Sequence, residues 1–188
     1  EYLRSFPVTA PPFNYRLRGV GLGHLMPSFE EVARVDLDYH LRHTALPEPG
    51  DWLAVHRVNE SAFETHLEVN LVDALRQQEP AVLSLVAIRD GSVVGHIMFS
   101  PVMLSEHPDL KLMGLAPMAV APPHQRNGIG SALVRAGLER CKELGFGAVV
   151  VLGHPEYYPR FGFSPASRFG IGCEYDVPDD VFMMLELQ

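Results

Sequence analysis

Two apolar segments, residues 82–89 (VLSLVAIR) and 92–104 (SVVGHIMFSPVML), meet at the dipeptide Asp90-Gly91. Asp-Gly between two such runs is a strong hairpin signal, because both central residues of a two-residue turn need a positive φ. The two runs are therefore expected as antiparallel neighbours in a sheet. A third strand is expected over about residues 111–121, where Leu112, Leu115, Met118 and Val120 recur, but Gly114 and Pro117 interrupt it. A proline inside a strand withholds an amide, so the ladder should break there.

Beyond Pro122-Pro123 the period changes. A polar loop from Gln125 to Gly130 opens into a helix over about residues 129–144, with Leu133, Val134, Gly137, Leu138, Cys141 and Leu144 as its buried stripe. Gly145 is a natural C-terminal stop. The run 148–152 (AVVVL) is β-branched and unalternating, as expected of a strand covered on both faces. A short helix is expected at 155–161 and a final strand over 181–187. Upstream, Asp51 can cap a helix carrying Leu53, Val55, His56, Val58 and Phe63. A second helix over about 65–77 places Leu67, Leu71, Val72 and Leu75 on one face and ends before Pro80. Leu41, Thr44 and Leu46 read as a short strand ending at Pro47.

Earlier in the chain Pro7, Pro11, Pro12 and Pro27, with Gly19, Gly21 and Gly23, leave no sustained period. Residues 1–40 are thus read as an irregular extension of one domain spanning 41–188. The Gly19–Gly23 stretch follows no apolar strand and lacks dinucleotide-loop spacing. A length of 188 residues suits a single domain, and 47% hydrophobic with 20% charged residues is a globular balance.

A formal charge of -8 disfavours nonspecific nucleic-acid binding, which draws its affinity from cations on phosphates. It suits a cationic partner. The two cysteines, Cys141 and Cys173, have no CxxC spacing. His40 and His43 would lie on opposite faces of a strand, so no metal site is expected. No apolar run approaches the roughly 18 residues that span a bilayer, and no signal-peptide order opens the chain. No membrane association is expected, and a reducing cytoplasm is the expected compartment.

The loop Gln125–Gly130 carries the chemical signal. A helix N-terminus presents unbonded amides and the positive end of a dipole, so it binds anions. Gly128 and Gly130 clear space for a phosphate to approach backbone, and Arg126 adds charge at the mouth. A Walker loop would continue with Lys-Ser/Thr, whereas this one continues Ser131-Ala132, which disfavours phosphoryl transfer. Taken alone, the loop also fits an ordinary Gly-rich connection.

In context, Met118-Ala119-Val120, then Gln125-x-x-Gly128-x-Gly130, then a long helix resembles the coenzyme A motif of the GNAT superfamily of N-acetyltransferases. Tyr158-Pro159-Arg160-Phe161-Gly162-Phe163 resembles the later Tyr-x-x-x-Gly-Phe element of that family. The segments Gly95–Pro101 and Glu174–Pro178 are similar to its YhbS-like bacterial branch. The resemblance covers about residues 41–188. It implies a mixed α/β fold whose central, mostly antiparallel twisted sheet is flanked by helices, with strands near 112–121 and 147–152 splayed around an acetyl-CoA cleft. It also implies that Met118, Ala119 and Val120 contact the cofactor arm, that Gln125, Arg126, Asn127, Gly128, Ile129, Gly130 and Ser131 hold the pyrophosphate, and that no metal takes part. A homodimer follows from family habit alone.

Acetyl transfer needs a neutral amine. A lysine-like amine of pKa about 10.4 resists deprotonation at pH 7 by roughly 4–5 kcal/mol, and an α-amine near 8 by only about 1. A base or a water chain therefore helps, and an acid that protonates the departing thiolate helps as well. Tyr158 stands at the family's position for that acid, with Tyr157 its immediate neighbour. Glu68 and His96 are the two base candidates, each with a plainer reading: a solvated helix face for Glu68, a satisfied core residue for His96. His154 stands where many relatives carry a small polar residue. Cys141, on the packed helix face, is a poor nucleophile, which favours direct transfer in a ternary complex. The acceptor is expected to be a small-molecule amine or a protein N-terminus or lysine, and the competing reading is a non-catalytic acyl-CoA-binding or sensing module.

Overall fold

A computed structural model describes residues 31–36, 50–78 and 83–187. Its strands are β1 (Glu31–Asp36), β2 (Leu83–Arg89), β3 (Ser92–Leu104), β4 (His107–Val120), β5 (Ala148–Leu152), β6 (Ser164–Pro165) and β7 (Phe182–Glu186). Its helices are α1 (Trp52–Ala62), α2 (Leu67–Gln78) and α3 (Ile129–Glu143). The strands form one sheet in the order β1-β2-β3-β4-β5-β7-β6, so the fold is the mixed α/β architecture expected. No helix among the described residues is long and apolar enough to cross a membrane.

The hairpin forms as the sequence predicts. Asp90 and Gly91 take φ of 51° and 75°, and Arg89 pairs with Ser92 across the turn. Because side chains alternate along a strand, one face of this hairpin carries Leu85, Ala87, Ile97 and Phe99, which pack under Leu133, Val134 and Leu138 of α3. The other face carries Val86 and Met98, which pack against Val55 of α1 and Leu71, Val72 and Leu75 of α2. Gly137 lets α3 approach closely, since a Cβ there would stand 2.2 Å from the ring of Phe99.

Beyond this frame the chain departs from expectation in four places. Residues 31–36 fall in the stretch read as irregular, yet they pair in parallel with β2 from Glu31↔Leu83 to Asp36↔Ile88. The sequence EVARVD mixes β-branched and charged residues, which suits the edge place that β1 takes and hides it from a search for apolar runs. Asp51 stands at the N-cap of α1, but its side chain makes no capping bond; its carbonyl accepts the Val55 amide at 2.8 Å. Leu67 is 37% exposed and the core position near it belongs to Val69, at 1%. The helix expected at 155–161 is a 3-10 turn, Tyr158–Phe161, with Pro159 in its first turn. The strand expected at 41–46, and His40 and His43, lie outside the described residues.

Two irregularities of β4 set up the cleft. Ile97 pairs with Met118 but Phe99 pairs with Leu115, so Ala116 and Pro117 together face Met98 in a bulge. The ladder breaks where the proline is. On its other side β4 pairs in parallel with β5 only from Leu112↔Ala148 to Gly114↔Val150, while β5 continues beside β7 to Leu152↔Phe182. The sheet therefore opens after Gly114 and Val150 into a wedge between β4 and β5.

Candidate active site

A cleft of about 770 Å³ occupies the wedge. One wall is strand-borne: Leu115–Met118 of β4 on one side, and Leu152–Tyr158 at and beyond the end of β5 on the other. The opposite wall comes from the junction of α1 and α2, where Phe63, Leu67, Glu68 and Leu71 line it. His154, Glu156 and Arg160 add polar groups at the turn.

Tyr158 lines this cleft with 7% exposure. Its ring stands edge-on to Phe163 and Tyr157, with centroids 5.6 and 5.2 Å away. Burial first, and the neighbouring Tyr157 second, raise its pKa, so the hydroxyl keeps its proton throughout the neutral range. Glu68, on the first turn of α2, lines the same cleft, and its Oε2 accepts a bond from the Thr65 hydroxyl at 2.9 Å. That contact fixes the carboxylate at the helical wall. The structure thus brings two of the three expected catalytic residues to one cavity.

His96 is not with them. It is fully buried between β2 and α1: Nδ1 accepts from Asn59 Nδ2 at 3.0 Å and Nε2 donates to Ser84 Oγ at 2.9 Å. Burial, then the charge of Arg76, hold its pKa down at about 3. Both ring nitrogens are engaged and neither faces the cleft, so the plainer reading of His96 as a core residue describes its place. Cys141 is also buried, and burial pushes its thiol up to about 12. It has no thiolate to offer at neutral pH.

The loop expected to hold phosphates lies at the N-terminus of α3. Gly128 is the N-cap, with φ +82°, and no side chain caps the helix. The first helical bond runs from the Ala132 amide to the Gly128 carbonyl at 2.9 Å, leaving the amides of Ile129, Gly130 and Ser131 outside the helical ladder. Arg126, exposed, is also left-handed at φ +61°. The neighbouring side chains brace this turn: Gln125 Nε2 donates to the Val120 carbonyl at 3.0 Å, and Asn127 Nδ2 to the His124 carbonyl at 3.4 Å. Ala119 and Ile129 are 2% and 4% exposed, so what they can offer a ligand is backbone, not side chain.

Cleft and loop are joined by Tyr157. Its hydroxyl lies 3.5 Å from Ser131 Oγ, and a Cβ on Gly130 would stand 3.0 Å from that hydroxyl and 3.5 Å from the sulfur of Met118. Gly130 is thus needed for the close approach of cleft and helix end, a role its spacing alone did not reveal. The helical wall of Phe63, Leu67 and Leu71 was equally hidden, because leucines at helical spacing read as core.

The sequence model of the acetyltransferase (GNAT) family matches residues 51–163. YjhQ of Escherichia coli K12, described as an uncharacterized N-acetyltransferase, is 40% identical over 130 residues, which are 67% of this chain and 72% of YjhQ. YhbS of the same strain, described likewise, is 36% identical over 140 residues, 74% of this chain and 83% of YhbS. Among solved structures, E. coli YhbS in complex with CoA superposes with a TM-score of 0.71 at 32% identity, covering 88% of this chain and 86% of that one. A Brucella melitensis GNAT family acetyltransferase in complex with acetyl-CoA gives 0.57 at 37% identity, covering 71% and 86%. The fold, the wedge between β4 and β5 and these matches agree: the chain belongs to the GNAT acetyltransferase family.

Proposed function

We propose that this protein is an N-acetyltransferase that passes an acetyl group from acetyl-CoA directly to an amine held in the same cleft. The observation that carries the reading is the geometry of the wedge: β4 and β5 part after Gly114 and Val150, and the cleft so opened adjoins the uncapped N-terminus of α3. The fit to coenzyme A is chemical. The amides of Ile129, Gly130 and Ser131, with Arg126 nearby, suit a pyrophosphate. The edge of β4 from Leu115 onward, unpaired by β5, suits an amide-bearing arm that adds to a sheet edge. The thioester supplies the activated acetyl group.

The chain's own residues then divide the proton work. Glu68 draws an ammonium to the helical wall and takes its proton, directly or through water, so that the neutral nitrogen bonds to the acetyl carbon. As the carbon–sulfur bond breaks, Tyr158 gives its hydroxyl proton to the departing thiolate. Cys141, buried and held protonated, is not needed as a covalent carrier. The cytoplasm fits this reading, as both cysteines are free thiols. The test is thiol release from acetyl-CoA with a panel of amines, together with calorimetric titration of coenzyme A. Amine-dependent release that Tyr158→Phe abolishes supports the enzyme. Tight coenzyme A binding without release for any amine would instead assign a binding module.

A further inference from the structure

The strand wall of the cleft is where the thioester arm would lie, so the helical wall is what the acceptor meets. That wall is composed of Phe63, Leu67 and Leu71 with a single charged group, Glu68. Leu67 is 37% exposed at the start of α2 and turns its apolar surface to the cleft instead of the core. Among the described residues no Lys or Arg pairs with Glu68, whose bonded neighbour is the Thr65 hydroxyl. The other carboxylate lining the cleft, Glu156, belongs to the strand-borne wall, where Arg160 also stands, its guanidinium donating to the Glu156 main-chain carbonyl at 3.4 Å and lying over the Tyr157 ring at 4.6 Å. Glu68 is therefore the one carboxylate of the helical wall, and the positive charge of the lining, Arg160, stands on the other wall.

Resting on the acetyltransferase reading, we propose that the acceptor is a monocationic amine whose amino group is attached beside a compact apolar body. One carboxylate matches one ammonium. Three apolar side chains around it bury the adjoining hydrocarbon or aromatic group, releasing water from both surfaces. A polyamine or an aminoglycoside would set its further ammonium groups against Phe63, Leu67 and Leu71, where nothing replaces their hydration. The same chemistry is offered by a free arylalkylamine and by a peptide whose first residue is apolar.

The test measures kcat/KM, with acetyl-CoA saturating, for phenethylamine, a Phe-initiated tripeptide, spermidine and an aminoglycoside. Phenethylamine or the tripeptide should exceed spermidine and the aminoglycoside by at least about tenfold, the scale on which one apolar contact discriminates. Whichever of the first two is faster identifies the source of the amine. Leu67→Glu, at an exposed position, should raise KM for the apolar amine and shift the ratio toward spermidine, with coenzyme A affinity unchanged as evidence of an intact fold. Preference for spermidine or the aminoglycoside, or a ratio that Leu67→Glu does not move, overturns the acceptor class while leaving the transferase standing. Coenzyme A binding with no turnover of any amine overturns both.

Discussion

The ring of Tyr158 lies against the backbone of Gly153 so closely that a Cβ on the glycine would stand 2.2 Å from Cε2 and 2.8 Å from Cδ2. The end of β5 thereby holds the phenol in place from behind. Gly153→Ala should displace the ring and lower kcat, while coenzyme A binding persists. Tyr158→Phe keeps the packing with Phe163 and removes only the hydroxyl, so kcat should fall by about 10²–10⁴-fold, the range of a lost general acid. Thiol-release kinetics with calorimetry check both; an active Tyr158→Phe enzyme would move the proton donor elsewhere, with Tyr157 next in line.

Gly128 has nothing within 4 Å of where a Cβ would sit, yet its φ is +82°. Alanine there is opposed by backbone conformation alone, at about 1–2 kcal/mol. Because Gly128 is the N-cap of α3, relief of that strain would turn the first amides of the helix. Gly128→Ala should lower the melting temperature by a few degrees and weaken coenzyme A binding several-fold or more, as read by calorimetry.

Gly137→Ala is expected to act through the core instead. Its Cβ would meet Cε2 and Cζ of Phe99 at 2.2 and 2.4 Å, and Phe99 is fully buried. Overpacking of this kind costs about 1–3 kcal/mol. Urea denaturation should show a lower midpoint with an unchanged slope.

His96 makes stability fall in acid. Its folded pKa is about 3, below the roughly 6.5 of an unfolded histidine. The unfolded chain therefore binds the proton first as pH drops. Stability is complete above about pH 6.5 and is lost as pH falls toward 3, by at most about 1.4 kcal/mol per pH unit from this residue. Urea titrations at several pH values should show that slope, and His96→Gln, though less stable at pH 7, should lack this residue's share of it.

How far the sequence could be read follows from where each partner lies. The hairpin at Asp90-Gly91 and helix α3 were legible because their signals are local: two residues of positive φ in one case, a repeating apolar stripe in the other. The wedge was half legible, since Pro117 marks the bulge in β4 but the end of pairing at Gly114 and Val150 is a relation between distant strands. Tyr158 and Met118, singled out by the motif, both line the cleft. His96 was ambiguous because its partner Asn59 stands 37 residues away, and no spacing rule joins a helix residue to a strand residue over that distance. Leu67 and Leu71 share a helix face in sequence, but only the docking of α2 leaves the first exposed at the cleft and sets the second, nearly buried, between the cleft and the core.

The parting of β4 from β5 leaves β4 with one ladder made and the other unfinished from Leu115 to Val120. A guest that completes the second ladder does so through main-chain groups, which every residue except proline presents alike. Recognition along this edge is therefore largely indifferent to side-chain identity. Ala119 can point wholly into the core and still take part, and substitutions here will register as changes in packing well before they register as changes in what the edge can hold.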